Sequence, residues 1–159
     1  MPDITADGKT RVFWVTTIAN IQAPTTTELN AGIDLTSTLT ADGLSGFQPD
    51  TADVDTSSLA STFTTNVNGR TSFSNTQLTL KKQSSGDTIF TTLTRDTAGF
   101  VAIRRSVAQA TAWTSAQALE VYPALCEEVA RLDPAPNTIE RYIIGVKITA
   151  SPALRAAVA

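Results

Sequence analysis

The 159-residue sequence has no histidine, one cysteine, one methionine and two tryptophans. Without histidine there is no Ser-His or Cys-His nucleophile pair, and the commonest zinc ligand and general base are missing. A lone Cys126 has no partner for an internal disulfide or a thiolate metal pair. Its expected place is a sheet core, as a small hydrophobe. No apolar run approaches the roughly 20 residues that span a bilayer. The opening MPDITADGKTR lacks the basic start and apolar stretch of a secretory leader. The expectation is a protein made in the cytoplasm, without a membrane partner, and folded as one domain over 1–159.

Positive charge is missing from one long stretch. Between Arg11 and Arg70 there is no Lys or Arg, while Glu28, Asp34, Asp42, Asp50, Asp53 and Asp55 give that span a charge of −6. From Arg70 onward ten basic residues face seven acidic ones, so the overall net charge of −3 hides an uneven distribution. One half repels polyanions and the other does not, which implies a two-faced or self-complementary molecule.

Threonine is plentiful: 27 of 159 residues. Its β-branched side chain suits a pleated, half-buried surface better than a helix interior, so the bias points to sheet. Residues 11–18, RVFWVTTI, read as a strand buried on both faces. In APTTTELNAG, Thr25 and Glu28 have capping-box spacing and predict a short helix. Residues 33–40 alternate apolar and hydroxyl side chains and lead into Asp42-Gly43, while Asn68-Gly69 separates 58–67 from 70–83. Both dipeptides predict hairpin turns. The phase change between Phe73 and the Leu78, Leu80 pair predicts a bulge near Asn75. Asp87 caps a predicted helix over DTIFTTLT, and GFVAIRR returns to strand. In 115–132 the apolar spacing fits a helix, yet Pro123 inside it would cost about 3 kcal/mol; two strands flanking an edge proline fit as well. Residues 139–149 are a clear strand. Seven or eight strands and one or two short helices predict a mainly β, antiparallel sandwich or barrel.

Motifs that would carry chemistry fail on spacing. Gly8-Lys9-Thr10 resembles the end of a phosphate-binding loop, but its earlier glycine falls at Asp3 and a strand follows where a helix is needed. Arg104 and Arg105 alternate across a strand, so they make no joint anion clamp. Trp14 and Trp113 read as core or interface residues. The cluster Asp50, Asp53, Asp55 does not match a calcium loop: counted from Asp50, position three is Ala52, position six Asp55 and position twelve Ser61. A paired acid/base site would need a pocket and a partner to separate the two carboxyl pKa values. No catalytic residue, cofactor or metal is expected.

The order of features matters more than any one of them. ELNAGIDLT, the LTADG turn, DTADVDTSSLASTF, GFVAIRR and EVYP follow one another over about 13–149. The sequence thereby resembles major tail proteins, the tail tube subunits, of actinobacterial siphophages with long non-contractile tails. The resemblance implies a tail-tube β-sandwich with a flanking helix and strands around Pro123. It implies homohexameric rings stacked into a tube within the virion, with tape measure and terminator proteins as neighbours. Phage DNA would pass through the lumen without specific binding, since each Lys or Arg pairing a phosphate adds affinity. Residues 1–10 would be an N-terminal arm and 151–159 a C-terminal tail, with no decoration domain beyond it. Asp50, Asp53 and Asp55 are the lumen-facing candidates. Alternatives are a tail terminator or baseplate hub on a related fold, or a β-sandwich binding module.

Overall fold

Alternation with period two decides which faces of the strands are covered. In the computed structural model, which describes all 159 residues, β1 (Arg11–Val15) sends Val12 and Trp14 into one apolar cluster and Phe13 and Val15 into another. β7 (Ala98–Arg104) does the same with Val101 and Ile103 against Ala102. β8 (Ala118–Arg131) repeats it with Tyr122, Ala124 and Cys126 against Leu119 and Val121. The central strands are therefore buried on both faces, as RVFWV suggested.

The main sheet is antiparallel throughout. Its order is β2 (Ile33–Asp34), β1, β7, β8, β9 (Arg141–Ile148), β6 (Gln77–Lys81) and β3 (Leu39–Ser45), with β10 (Ala153–Ala157) also on β8. Strands from opposite ends of this order share the first cluster: Val12 and Trp14 of β1 meet Leu78 and Leu80 of β6. The sheet must curl over itself to bring them together, which gives the expected sandwich-like β fold. Helix α2 (Thr88–Thr92) contributes Ile89 to the first cluster and its C-cap residue Leu93 joins it there. The second is covered by Leu29 of α1 (Thr26–Asn30), by Trp113, and by Ala153, Ala156 and Val158. Burying each large aliphatic chain contributes on the order of 1.5–3 kcal/mol.

Both helices begin where their caps predict. The Thr25 hydroxyl accepts from the Glu28 N–H at 3.2 Å, and the Glu28 carboxylate accepts from the Thr25 N–H and the Ala19 N–H, each at 2.8 Å. Those backbone donors, Thr25 first, hold the Glu28 carboxyl below its usual pKa. Asp87 caps α2 by accepting from the Phe90 N–H at 3.1 Å.

Several expected boundaries move. Asp42-Gly43 is no turn: it lies inside β3, where the six residues from Leu39 to Leu44 stand against only the three from Leu80 to Leu78 of β6. The extra chain forms a wide bulge, and a Cβ on Gly43 would lie 2.6 Å from the Thr79 carbonyl oxygen. Asn68-Gly69 is likewise inside a strand, β5 (Asn66–Ser72), paired with β4 (Asp50–Asp55). Neither dipeptide takes a positive φ; what each glycine supplies is room for the close carbonyl of the paired strand, which a bulge needs as much as a turn does. Residues 58–65, expected in a strand, are loop. At Asn75, φ is +54°, and there the chain leaves one sheet for the other.

Within the 115–132 segment, 118–131 form one long strand, and Pro123 is not at an edge. Its carbonyl accepts from the Thr149 N–H at 3.0 Å, so its missing N–H points to that same side. There β8 changes neighbour, from β10 over 118–121 to β9 over 124–131. Residues 151–159 include β10, so the expected tail carries a tenth strand. No helix is long and apolar enough to cross a membrane.

Candidate assembly surface

β4 and β5 form a two-stranded sheet of their own, apart from the main sheet. Every residue of both strands is exposed except half-buried Gly69. The registers Thr51↔Thr71, Asp53↔Asn68, Val54↔Val67 and Asp55↔Asn66 include one extra residue on β5, which bulges at Gly69–Arg70. Here too Gly69 fits the chain: an added Cβ would stand 2.9 Å from the Ala52 carbonyl oxygen.

Alternation gives this arm two unlike faces. Thr51, Asp53 and Asp55 share one face with Thr71, Asn68 and Asn66, and the Thr51 and Thr71 hydroxyls meet at 3.0 Å. The other face carries Ala52, Val54 and Val67, with Asp50 at its base. Val54 is 48% and Val67 54% exposed. The three aspartates therefore do not act together: Asp53 and Asp55 share a face, and Asp50 lies on the opposite one. Asp55 also accepts from the Ser57 N–H at 2.7 Å, and the Ser57 side chain and backbone hold its carboxyl below the usual range.

The arm has a fixed root and an ordered tip. At the root Gly46 (φ +75°) packs on Asn75, whose carbonyl oxygen would be 2.4 Å from a Cβ there, and the Thr76 hydroxyl donates to the Gly46 carbonyl at 2.8 Å. Phe47 and Phe73 set their rings edge-on against Tyr122, with centroids 5.1 and 5.8 Å away. The Tyr122 hydroxyl lies 2.8 Å from the Glu120 carboxylate and 3.2 Å from the Phe47 carbonyl oxygen; burial first, then Glu120, raises its pKa. At the tip the Thr56 N–H donates to the Thr65 carbonyl at 2.8 Å and the Thr65 N–H to the Ser57 hydroxyl at 3.0 Å. From this loop Leu59 and Phe63 project into solvent.

Charge follows the same division. Five ion pairs form, Lys82–Asp87, Arg95–Asp96, Arg105–Glu120, Arg131–Glu140 and Lys147–Glu127, all beyond Lys81. None of the six acids between Val12 and Gly69 has a cationic partner, and Arg70 of the arm is also unpaired. No three His, Cys, Asp or Glu side chains converge as metal ligands. Cys126 is buried, and burial pushes its thiol up to about 12.

Sequence reasoning missed Arg104. The alternation puts it on the opposite face from Arg105, as expected, but the guanidinium is fully buried in phase with Ala102, below Trp113. Its signal was there: an arginine continuing an apolar strand face next to a Trp-bearing loop. Burial, then the nearby Arg11 charge, lowers its pKa.

A family model described as phage tail tube protein matches residues 1–159. The chain belongs to the phage tail tube protein family. It is thus a structural, non-enzymatic protein of a phage tail, part of the virion. No curated protein matches the sequence. Among solved structures, this tail protein resembles a chain in the cryo-EM structure of the anti-feeding prophage baseplate, six-fold symmetrised, with a TM-score of 0.62. The match covers 94% of this chain and 95% of that one at 9% identity, so the likeness is one of fold.

Proposed function

We propose that this protein is the repeating subunit of the tail tube itself, in a long non-contractile tail of the actinobacterial siphophage kind. Six copies close a ring, rings stack, and DNA leaves through the bore. The observation that carries the reading is the two-faced β4–β5 arm. An isolated two-stranded sheet is marginal in water, and open edges with an uncovered Val54–Val67 face invite another chain. Neighbouring copies in a ring would cover both, and a head-to-tail contact of this type builds rings or filaments. The Asp53–Asp55 face would then line the lumen, where an acidic, cation-poor wall releases DNA. Asp50, on the other face, falls at the junction between copies. Residues 1–10 would reach an adjacent copy, with tape measure and terminator proteins meeting the tube's interior and end.

The second reading is a baseplate or terminator ring, favoured by the baseplate fold likeness. Electron microscopy of the purified protein separates the two, since a tube subunit polymerises and a terminator stops at single rings. Val54→Lys is expected to abolish tubes without changing the melting temperature of the subunit. Asp53→Lys with Asp55→Lys is expected to leave tubes intact and slow DNA delivery. Lost assembly in the double variant would place these aspartates at an interface, and single rings from the wild type would overturn the tube reading.

A further inference from the structure

The 105–117 loop contacts both ends of the chain. On one side the Gln109 N–H donates to the Gly8 carbonyl at 2.9 Å, closing one wall of the cleft beside the N-terminal arm. On the other the Ala116 N–H donates to the Val158 carbonyl at 2.8 Å, and the Val158 N–H returns to the Gln117 carbonyl at 3.0 Å.

Between these two contacts sits Arg104. Its Nη2 donates to the Ala108 and Thr111 carbonyls at 3.0 and 2.9 Å, and its Nη1 to the Ala112 carbonyl at 3.2 Å and to Gln117 Oε1 at 2.9 Å. The same Gln117 Oε1 accepts from the Thr114 N–H, and Gln117 Nε2 donates to the Ala112 carbonyl. Thr111's carbonyl takes a second guanidinium, from half-buried Arg11 at 2.7 Å. Trp113 lies under both cations, its ring 4.9 Å from Arg104 and 5.2 Å from Arg11. No carboxylate pairs with Arg104. Loop carbonyls and one amide are all that solvates the buried charge.

That arrangement makes partial opening unfavourable. The Arg104 Nε already lacks a partner, so lifting one stretch of the loop strands a buried cation with fewer acceptors still, and each acceptor lost leaves more of a buried charge uncompensated. The loop should open and close as a unit, which is the kind of two-state element that two sites can bias together.

We infer that the 105–117 loop is a latch joining the two ends of the chain, with Arg104 as its pivot. Displacing the N-terminal arm at Gly8 loosens the clasp on Val158. A copy that takes hold of the arm is thereby felt at the C-terminal strand.

Amide hydrogen exchange on the full-length chain tests this. Gly8 has φ +68° and open space around it, so Gly8→Val strains only the arm's backbone and moves the carbonyl from Gln109. The expected result is exchange about tenfold faster at Gln109, Ala116 and Val158 together, with core amides of β7 and β9 unchanged. In Arg104→Met, Ala116 and Val158 should already exchange fast, and adding Gly8→Val should change them no further. Gln117→Leu, removing one of the four acceptors, gives a milder second variant should Arg104→Met fold poorly. Faster exchange at Gln109 alone in Gly8→Val would overturn the proposal. So would full protection of Val158 in the Arg104 or Gln117 variant.

Discussion

Asp87 illustrates how one side chain serves several backbone needs. Its carboxylate accepts from the N–H groups of Phe90 and Gln83, both at 3.1 Å, and pairs with Lys82 at 3.1 Å. Burial alone would raise its pKa, but the Gln83 and Phe90 donors and then Lys82 outweigh it, and the value falls below the ordinary 3.8. A depressed pKa contributes stability that is complete above the unfolded value and is lost as pH falls through the folded one. Native stability is therefore expected to drop as pH is lowered below about 3.8, and Asp87→Ala should flatten that drop while costing about 2 kcal/mol at pH 7. Urea titrations of both proteins between pH 2 and 7 measure this; an unchanged acid limb in the variant would assign it to other carboxylates. The cap itself was legible from sequence, because Asp87 precedes a run with Ile89 and Leu93 at helical spacing. Its place beside Tyr142 was not, since that depends on β6 and β9 being neighbours.

At the scale of elements, strands were found where alternation was clean and misplaced where glycine dipeptides carried the argument. A glycine dipeptide serves a turn by its backbone freedom and a bulge by leaving room for a close neighbour, as Gly43 and Gly69 do, so only the partner strand decides between them. β8 was undecidable for a different reason: its spacing fits both periods, and proline disfavours both. The structure resolves the conflict by placing Pro123 where β8 passes from β10 to β9, at the end of the β8–β9 ladder, so only the terminal bond to the Thr149 carbonyl goes unmade. Pro123→Ala is accordingly expected to change stability by no more than about 1 kcal/mol, the freer unfolded chain offsetting the regained terminal hydrogen bond. The midpoint of guanidinium unfolding reads this. A much larger loss would mean that the proline ring itself packs the junction, and a much larger gain that the unpaired Thr149 carbonyl is costly in the wild type.

Across the whole molecule, composition foretold the charge division but not its geometry. The basic-free span was visible in the sequence, yet Asp50 could not be separated from Asp53 and Asp55 without the register of β4 on β5. In the ring reading, copies must bring their unpaired acidic spans together. Tube growth is then expected to be faster at 0.5 M than at 0.05 M NaCl, conditions whose screening lengths differ about threefold. Light scattering during polymerisation would show it; growth slowed by salt would mean that cross-copy ion pairs, with Arg70 the first to examine, dominate instead.

The fork at Pro123 has a consequence for how the chain finds this fold. β8 is bonded to β7, β9 and β10, so a slip of one residue would have to move three pairings and swap its side chains between the two core clusters, where neither set fits the other's place. It would also carry the imino nitrogen into a position where a donor is required. Pro123 thus works as a reading-frame mark: an alternating strand of Leu, Val and Ala has many near-equivalent alignments, and proline leaves one of them acceptable.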